Sequence, residues 1–277
     1  MRPGVQVAEF PLQRLMERER MSSRADLRER GEFLRRDLFG PEPAPAALSI
    51  AVAGFPELMA ELVYGSIWAR PGLGRRERMV CTLAALAALQ SLPALEAHCD
   101  AALAIGMEPR AIVEIVIQDG IYRGFAASEA ALGVVRRVLG ARGIALPAAD
   151  PEPHSLEELA RLGREVQTAL HRERSDEGHA DPANPVTGSI YPLIVQFCYG
   201  AIWNRPGLDR RMRALAAVAA FTVLGRDLLL RKFALSALNV GATREEVVEA
   251  VVQTGPYGGF AFMLSGLSAV GEAFAAR

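Results

Sequence analysis

Residues Leu95–Phe125 read LEAHCDAALAIGMEPRAIVEIVIQDGIYRGF, and residues Leu230–Phe260 read LRKFALSALNVGATREEVVEAVVQTGPYGGF. Each position of the first falls on its counterpart in the second at one constant offset, without a gap. The match begins upstream, where GSIWARPGL (Gly65–Leu73) returns as GAIWNRPGL (Gly200–Leu208), and it runs on to Leu139 and Phe274. A looser echo links Arg30-Gly31 to Phe39 with Leu162-Gly163 and the residues after it. Two copies of one unit therefore fill most of the chain. The copies are not equivalent, because His98 of the first faces Phe233 in the second.

Apolar residues within the unit recur at helical spacing between glycine and proline stops. Arg24–Phe39 ends at Gly40-Pro41, Pro56–Arg70 ends at Pro71-Gly72, and Gly106 closes Leu95–Ile105. Pro109 opens the next helix, a start that Thr243-Arg-Glu-Glu246 makes in the second copy as a capping box. Arg75–Gln90 is almost wholly apolar from Met79 onward, as a helix in the middle of a bundle should be. Ala126–Leu139 completes the unit. No stretch reads as a strand, so the fold class is all-α, a tandem duplication of one helical bundle unit. The divisions are an N-terminal arm (1–22), a first unit (23–140), a Pro-rich linker (141–155) and a second unit (156–277). Within the second unit, Glu173–Pro185 reads as a mobile loop.

Composition narrows the function. The chain has 277 residues, half of them apolar and only 6% aromatic, with a net charge of −1. No basic nucleic-acid footprint is present. The N-terminus is broken by Glu9, Arg14, Glu17 and Arg18, and the longest apolar runs are too short for a bilayer. Cys81, Cys99 and Cys198 form neither a CxxC nor a metal-ligand spacing, which is expected of reduced thiols in a cytoplasmic protein.

Glu114, Gln118 and Tyr122 lie at i, i+4 and i+8, on one face of an otherwise apolar helix, and Glu249, Gln253 and Tyr257 repeat them. Buried polar groups need partners. Arg76 and Arg78, paralleled by Arg211 and Arg213, are candidates. Glu114 is then either a structural ion pair or a pocket wall, and the two readings stay open. His98 is the histidine set inside a well-formed helix, whereas His154, His171 and His179 fall at or near connectors. Its imidazole can move a proton near neutral pH without a cofactor, and Phe233 cannot. Cys99 follows His98 directly, points about 100° away, and reads as a small core residue. Trp68 and Trp203 either roof a pocket or pack a helix end.

Taken together, Ile67-Trp68-Ala69-Arg70-Pro71-Gly72-Leu73, Arg76-x-Arg78, Leu95-x-x-His98-x-x-Ala101-Ala102, Gly106, Ile112-Val113-Glu114, Gln118 and Tyr122-Arg123-Gly124-Phe125 resemble the carboxymuconolactone decarboxylase family of the alkylhydroperoxidase D-like superfamily. The resemblance spans both units. It implies His98 at the family's histidine position with Glu114 and Tyr122 nearby, and a homo-oligomer, a trimer for a tandem chain. The chain departs from the peroxidase branch, whose CxxC positions are Ser91 and Ala94 here, so no dithiol cycle is expected. It also departs at Ala126 and Ala261, where the family's Gly-Phe is followed by proline.

The expectation is a cofactor-independent decarboxylase, without metal, acting on a small carboxylated lactone or β-keto-type acid. The resemblance makes His98, Glu114 and Tyr122 the catalytic groups. Arg76, Arg78, Trp68 and Gln118 bind substrate. The alternatives are a proton-transfer isomerase or ring-rearranging enzyme, and a non-catalytic small-molecule-binding or assembly protein.

Overall fold

The structure is a computed structural model that describes residues 23–40, 52–148 and 155–276. The 1–22 arm, the Pro41–Pro45 connector and part of the linker lie outside the described residues. The described residues contain helices and no strand. The first unit is α1 (Arg24–Phe39), α2 (Phe55–Leu58, continuing as a π-helix over Met59–Trp68), α3 (Arg75–Leu89), α4 (Leu92–Ala104), α5 (Pro109–Arg123) and α6 (Phe125–Ala141). The second repeats this order. It has α7 (Leu156–His171), α8 (Tyr191–Leu193, then a π-helix over Ile194–Trp203), α9 (Arg210–Val223), α10 (Asp227–Asn239), α11 (Arg244–Gln253, then a turn at Gly255–Gly258) and α12 (Phe260–Ala275). Among the described residues, no helix is long and apolar enough to cross a membrane.

The ends follow from the sequence. Ser23 and Asp26 cap each other at the start of α1, and Thr243 and Glu246 do so at α11. Gly40, with φ 87°, ends α1. Two expectations need correction. The helix read as Pro56–Arg70 is largely π-helical, and so is its copy. The widened turns lie where α1 crosses α2 backbone to backbone. A Cβ on Gly31 would stand 1.8 Å from the Ala60 carbonyl oxygen, and one on Gly65 would stand 2.1 Å from that of Leu27. Gly163 and Gly200 repeat the contact against Val195 and Leu159. The stretch read as a mobile loop holds two 3-10 turns, Arg172–Asp176 and Gly178–Ala180. After them, Asn184 Oδ1 accepts from the amides of Val186 and Thr187 at 2.9 and 3.0 Å.

Helices α3 and α9 are buried nearly all round and pack on each other between the units. Ala85, Ala88, Ala220 and Val223 form a small-residue seam, and Cys81 Sγ lies 3.8 Å from the Leu215 carbonyl. Small side chains let these helices approach closely, so a long side chain at their N-terminal ends reaches the neighbouring unit. Arg78 and Arg213 occupy those positions, each 1% exposed or less.

Candidate functional site

The two polar stripes cross over. Glu249 of α11 accepts from Arg78 Nη2 at 2.9 Å and from Arg70 Nη2 at 2.7 Å, both in the first unit. Gln253 Oε1 accepts from Arg78 Nη1 at 2.9 Å, and its Nε2 donates to Thr82. Reciprocally, Glu114 of α5 accepts from Arg213 Nη2 at 3.0 Å and Arg205 Nε at 2.9 Å in the second unit, besides Arg110 one turn away. Gln118 exchanges two bonds with Arg213, accepting from Nη1 at 3.1 Å and donating to its carbonyl at 2.8 Å. Removing ions from water costs several kcal/mol each, and tight pairing offsets that cost. Burial lowers the Arg213 pKa, and its bond to Glu114 opposes the shift.

His98 sits on α4, 2% exposed. Its Nδ1 lies 2.8 Å from the Ala94 carbonyl, which can only accept, so the proton is on Nδ1 and Nε2 is a free lone pair. Nε2 faces the Tyr257 hydroxyl at 3.4 Å, and that hydroxyl accepts from Trp68 Nε1 at 2.8 Å. The Phe39 ring packs edge-on at 5.1 Å between centroids. Burial pulls the His98 pKa from 6.5 down to about 4, opposed by the Ala94 bond, so the ring is neutral at pH 7. Burial also raises the Tyr257 pKa, which keeps that phenol protonated.

The sequence-derived residues are thus divided between two clusters. His98, Trp68 and Arg78 come together on the first unit's side, and the carboxylate, amide and phenol that meet them are Glu249, Gln253 and Tyr257. Glu114, Gln118 and Tyr122 lie in the reciprocal cluster with Arg205, Arg213 and Trp203, and are not brought to His98. Arg76 is exposed. The self-comparison carried a signal for Tyr257, since it matches Tyr122, but nothing in one sequence says which unit a stripe faces.

The larger surprise is His171, expected at a connector. It is the last residue of α7 and is 0% exposed. Ser236 Oγ donates to the Lys232 carbonyl and so accepts from His171 Nδ1 at 2.8 Å, while Nε2 accepts from the Tyr199 hydroxyl at 2.9 Å. Phe233 packs edge-on against it at 5.4 Å. Burial, with Lys232 and Arg174 adding to it, takes the His171 pKa down to about 3. His171 answers Phe39, just as Phe233 answers His98. Each half therefore keeps one histidine and one phenylalanine ring in contact, with their positions exchanged.

A pocket of about 370 Å³ opens beside the first cluster, between α1 and the α2–α3 corner. Phe33, Leu38, Trp68 and Leu73 supply apolar wall, and Arg30, Arg75 and Arg78 supply charge. Arg78 Nε has no hydrogen-bond partner. Among the described residues, no three His, Cys, Asp or Glu side chains converge as a metal site would require.

The chain is similar to several known proteins over one unit's length. It is 30% identical to 4-carboxymuconolactone decarboxylase of Acinetobacter baylyi over 103 residues, covering 37% of this chain and 77% of that protein. It is 35% identical to nitrosuccinic acid decarboxylase npaB of Metarhizium robertsii over 77 residues, or 28% of this chain and 54% of that one. A third relative is an uncharacterized 15.0 kDa protein of Paracoccus denitrificans, 32% identical over 30% of this chain and 63% of its own length. The model of the carboxymuconolactone decarboxylase family matches twice, at residues 53–137 and 189–272. Both halves thus carry the same family pattern, and the chain belongs to the carboxymuconolactone decarboxylase family as a tandem member.

Proposed function

We propose that the chain is a cofactor-independent decarboxylase of a small carboxylated lactone or β-keto-type acid, acting at the His98 cluster. One observation carries this reading: the aligned His98 Nε2, Tyr257 hydroxyl and Trp68 indole, with Trp68 also forming the wall of a cationic pocket. Such a substrate loses CO₂ when the bond to its carboxyl carbon breaks and the electron pair enters its own carbonyl. The enolate then needs one proton at carbon. Arg78, with an unused Nε–H at the pocket, supplies positive charge where the oxygen becomes anionic. Tyr257 supplies a hydroxyl through which a proton passes, and the neutral His98 orients it from Nε2. A proton-transfer isomerase would use the same groups. Two relatives named as decarboxylases support the first alternative.

CO₂ release from acetoacetate and from γ-lactone carboxylates tests the reading. Turnover above the uncatalysed rate, lost in Arg78→Met, is the expected outcome. No release from any of them would sink it. A second reading has its own support, because the pocket wall stops at Trp68 and does not include His98. Under that reading the chain binds such acids without turning them over. The reading also carries a homotrimer. Phe55, Leu58 and Leu62 are exposed along one face of α2, and Ile190, just before α8, with Leu193 and Phe197 on it, repeats the stripe. Sedimentation as a monomer at micromolar concentration would refute the trimer. Three free thiols support a cytoplasmic location.

A further inference from the structure

A second hollow, of about 490 Å³, lies between α5 and α6 and shares no wall residue with the pocket at Trp68. Its size is that of a small-molecule site. Each helix turns one stripe toward it, at i, i+3, i+4 and i+7. Arg110, Val113, Glu114 and Ile117 come from α5, and Glu129, Leu132, Gly133 and Arg136 from α6. The helices run antiparallel from the turn at Gly124, so Arg110 and Arg136 stand at one end and Glu129 at the other. Seven residues of helix set Glu129 about 10 Å from Arg136 along the axis. Arg205 of the second unit joins the cationic end, where it meets Glu114.

The cations there are not used up. Arg205 donates to Glu114 from Nε, and among the described residues its Nη nitrogens make no hydrogen bond. Arg136 has neither a hydrogen bond nor an ion pair among the described residues. Arg110 Nη1 donates to the Ala148 carbonyl at 3.1 Å, which fixes Leu146–Ala148 along the rim. Leu146 is nevertheless 51% exposed. The middle of the hollow is apolar and has room. A glycine inside a helix weakens it, yet a Cβ on Gly133 would meet nothing within 4 Å.

The second unit keeps the apolar positions, as Val248, Val252 and Leu267, but has Glu245, Leu264 and Gly271 in place of Arg110, Glu129 and Arg136. The shared fold therefore does not call for these charges. We propose that the hollow is a second ligand site of the chain, for a monocarboxylate with an apolar body. Arg136 and Arg205 hold the carboxylate, as guanidinium forks do. The body lies over Gly133 between Ile117 and Leu132, and Glu129 turns away a second carboxylate at the far end. No step of the His98 chemistry is needed for such binding.

Ile117 reports on this hollow and is absent from the wall at Trp68, so methyl NMR separates the two places. The full chain is labelled with ¹³C at the isoleucine δ1 methyls, the Ile117 resonance is assigned with Ile117→Val, and 4-phenylbutyrate is titrated in. That resonance should shift saturably. The neutral 4-phenylbutyramide should bind at least about tenfold more weakly. Arg136→Gln, at an exposed position, should weaken the acid by a similar factor, and Gly133→Leu should abolish the shift by filling the middle. If Gly133→Leu does not fold, Arg136→Gln decides alone. An Ile117 resonance that stays still overturns the site. So does an amide that binds as well as the acid, or a titration that Arg136→Gln leaves unchanged.

Discussion

The two halves hold the same kinds of ring and wire them differently. In the first, His98 on α4 points its lone pair at Tyr257, which belongs to the other unit's stripe. In the second, His171 on α7 accepts from Tyr199 of its own unit and is tied by Ser236 at its other nitrogen. The first imidazole therefore has one loose contact, at 3.4 Å, toward a half-buried phenol. The second has two contacts under 3 Å and no spare atom. A histidine that moves protons needs a nitrogen that can change partner. One that locks helices together needs the opposite. The contrast leaves His98 with a nitrogen free to take part in the proposed proton transfer through Tyr257, and gives His171 the joining of α7, α8 and α10.

The buried ion clusters should give the largest effect. Glu114→Ala strands Arg213, whose side chain has no exposure, and Glu249→Ala strands Arg78. Removing one partner of such a pair costs about 3–5 kcal/mol. Denaturant unfolding of both variants should show similar losses, since the clusters are reciprocal. A Glu114→Ala loss below about 1 kcal/mol would mean that water reaches Arg213 and that the halves are not equivalent in their packing.

Next is the rate. His98→Gln should lower turnover by at least about 10²-fold with stability nearly unchanged, as removal of a group engaged in acid–base work does. His171→Gln should act in the opposite sense, lowering stability more than turnover. Equal rate losses in the two variants would erase the division of roles drawn above.

The duplication, the helices and the members of each stripe were all legible in the residues, because an ungapped repeat and a 3.6-residue period need only one strand of text. Which stripe meets which histidine was not. Glu114 finds Arg205 and Arg213 about 90 to 100 positions away across the inter-unit face, and the sequence spacing singles out only Arg110. His171 was hidden for another reason. The looser echo that pairs α1 with α7 runs at a different offset from the rest of the repeat; at that offset Phe39 falls on His171, but nothing in the sequence says that these positions meet the rings on α4 and α10. The π-helical form of α2 and α8 was also concealed, although Gly31 and Gly65 stood at the crossing.

Acid should sharpen the comparison further. Both histidines have folded-state pKa values depressed below the ordinary 6.5, to about 4 for His98 and about 3 for His171. The unfolded chain thus binds their protons first. Their neutral forms contribute full stability above about pH 6.5, and that contribution is lost as pH falls toward 4 and 3. Each contributes a slope of up to about 1.4 kcal/mol per pH unit inside its window. Stability measured from pH 7 to 4 should fall less steeply in His171→Phe than in the parent. An unchanged slope would place the His171 ring in contact with water.

The smallest expected effect is also the most direct test of the exchange. His171→Phe alone removes a donor and an acceptor, leaving Ser236 and Tyr199 without their partner, and should cost about 1–3 kcal/mol. Phe233→His alone puts a second imidazole beside the first, where desolvation of a polar ring meets no prepared partner, and should cost a similar amount. Made together, the two substitutions place a histidine on α10 and a phenylalanine on α7, the arrangement that α4 and α1 already hold in the first half. Edge-on contact between the rings survives, and the ring on α10 gains the backbone carbonyl one turn before it, as His98 has Ala94. The double variant should therefore be more stable than the sum of the singles by a coupling energy of about 0.5–3 kcal/mol. Strict additivity would mean that the two positions do not sense each other, and the likeness between the halves would then stop at their shapes.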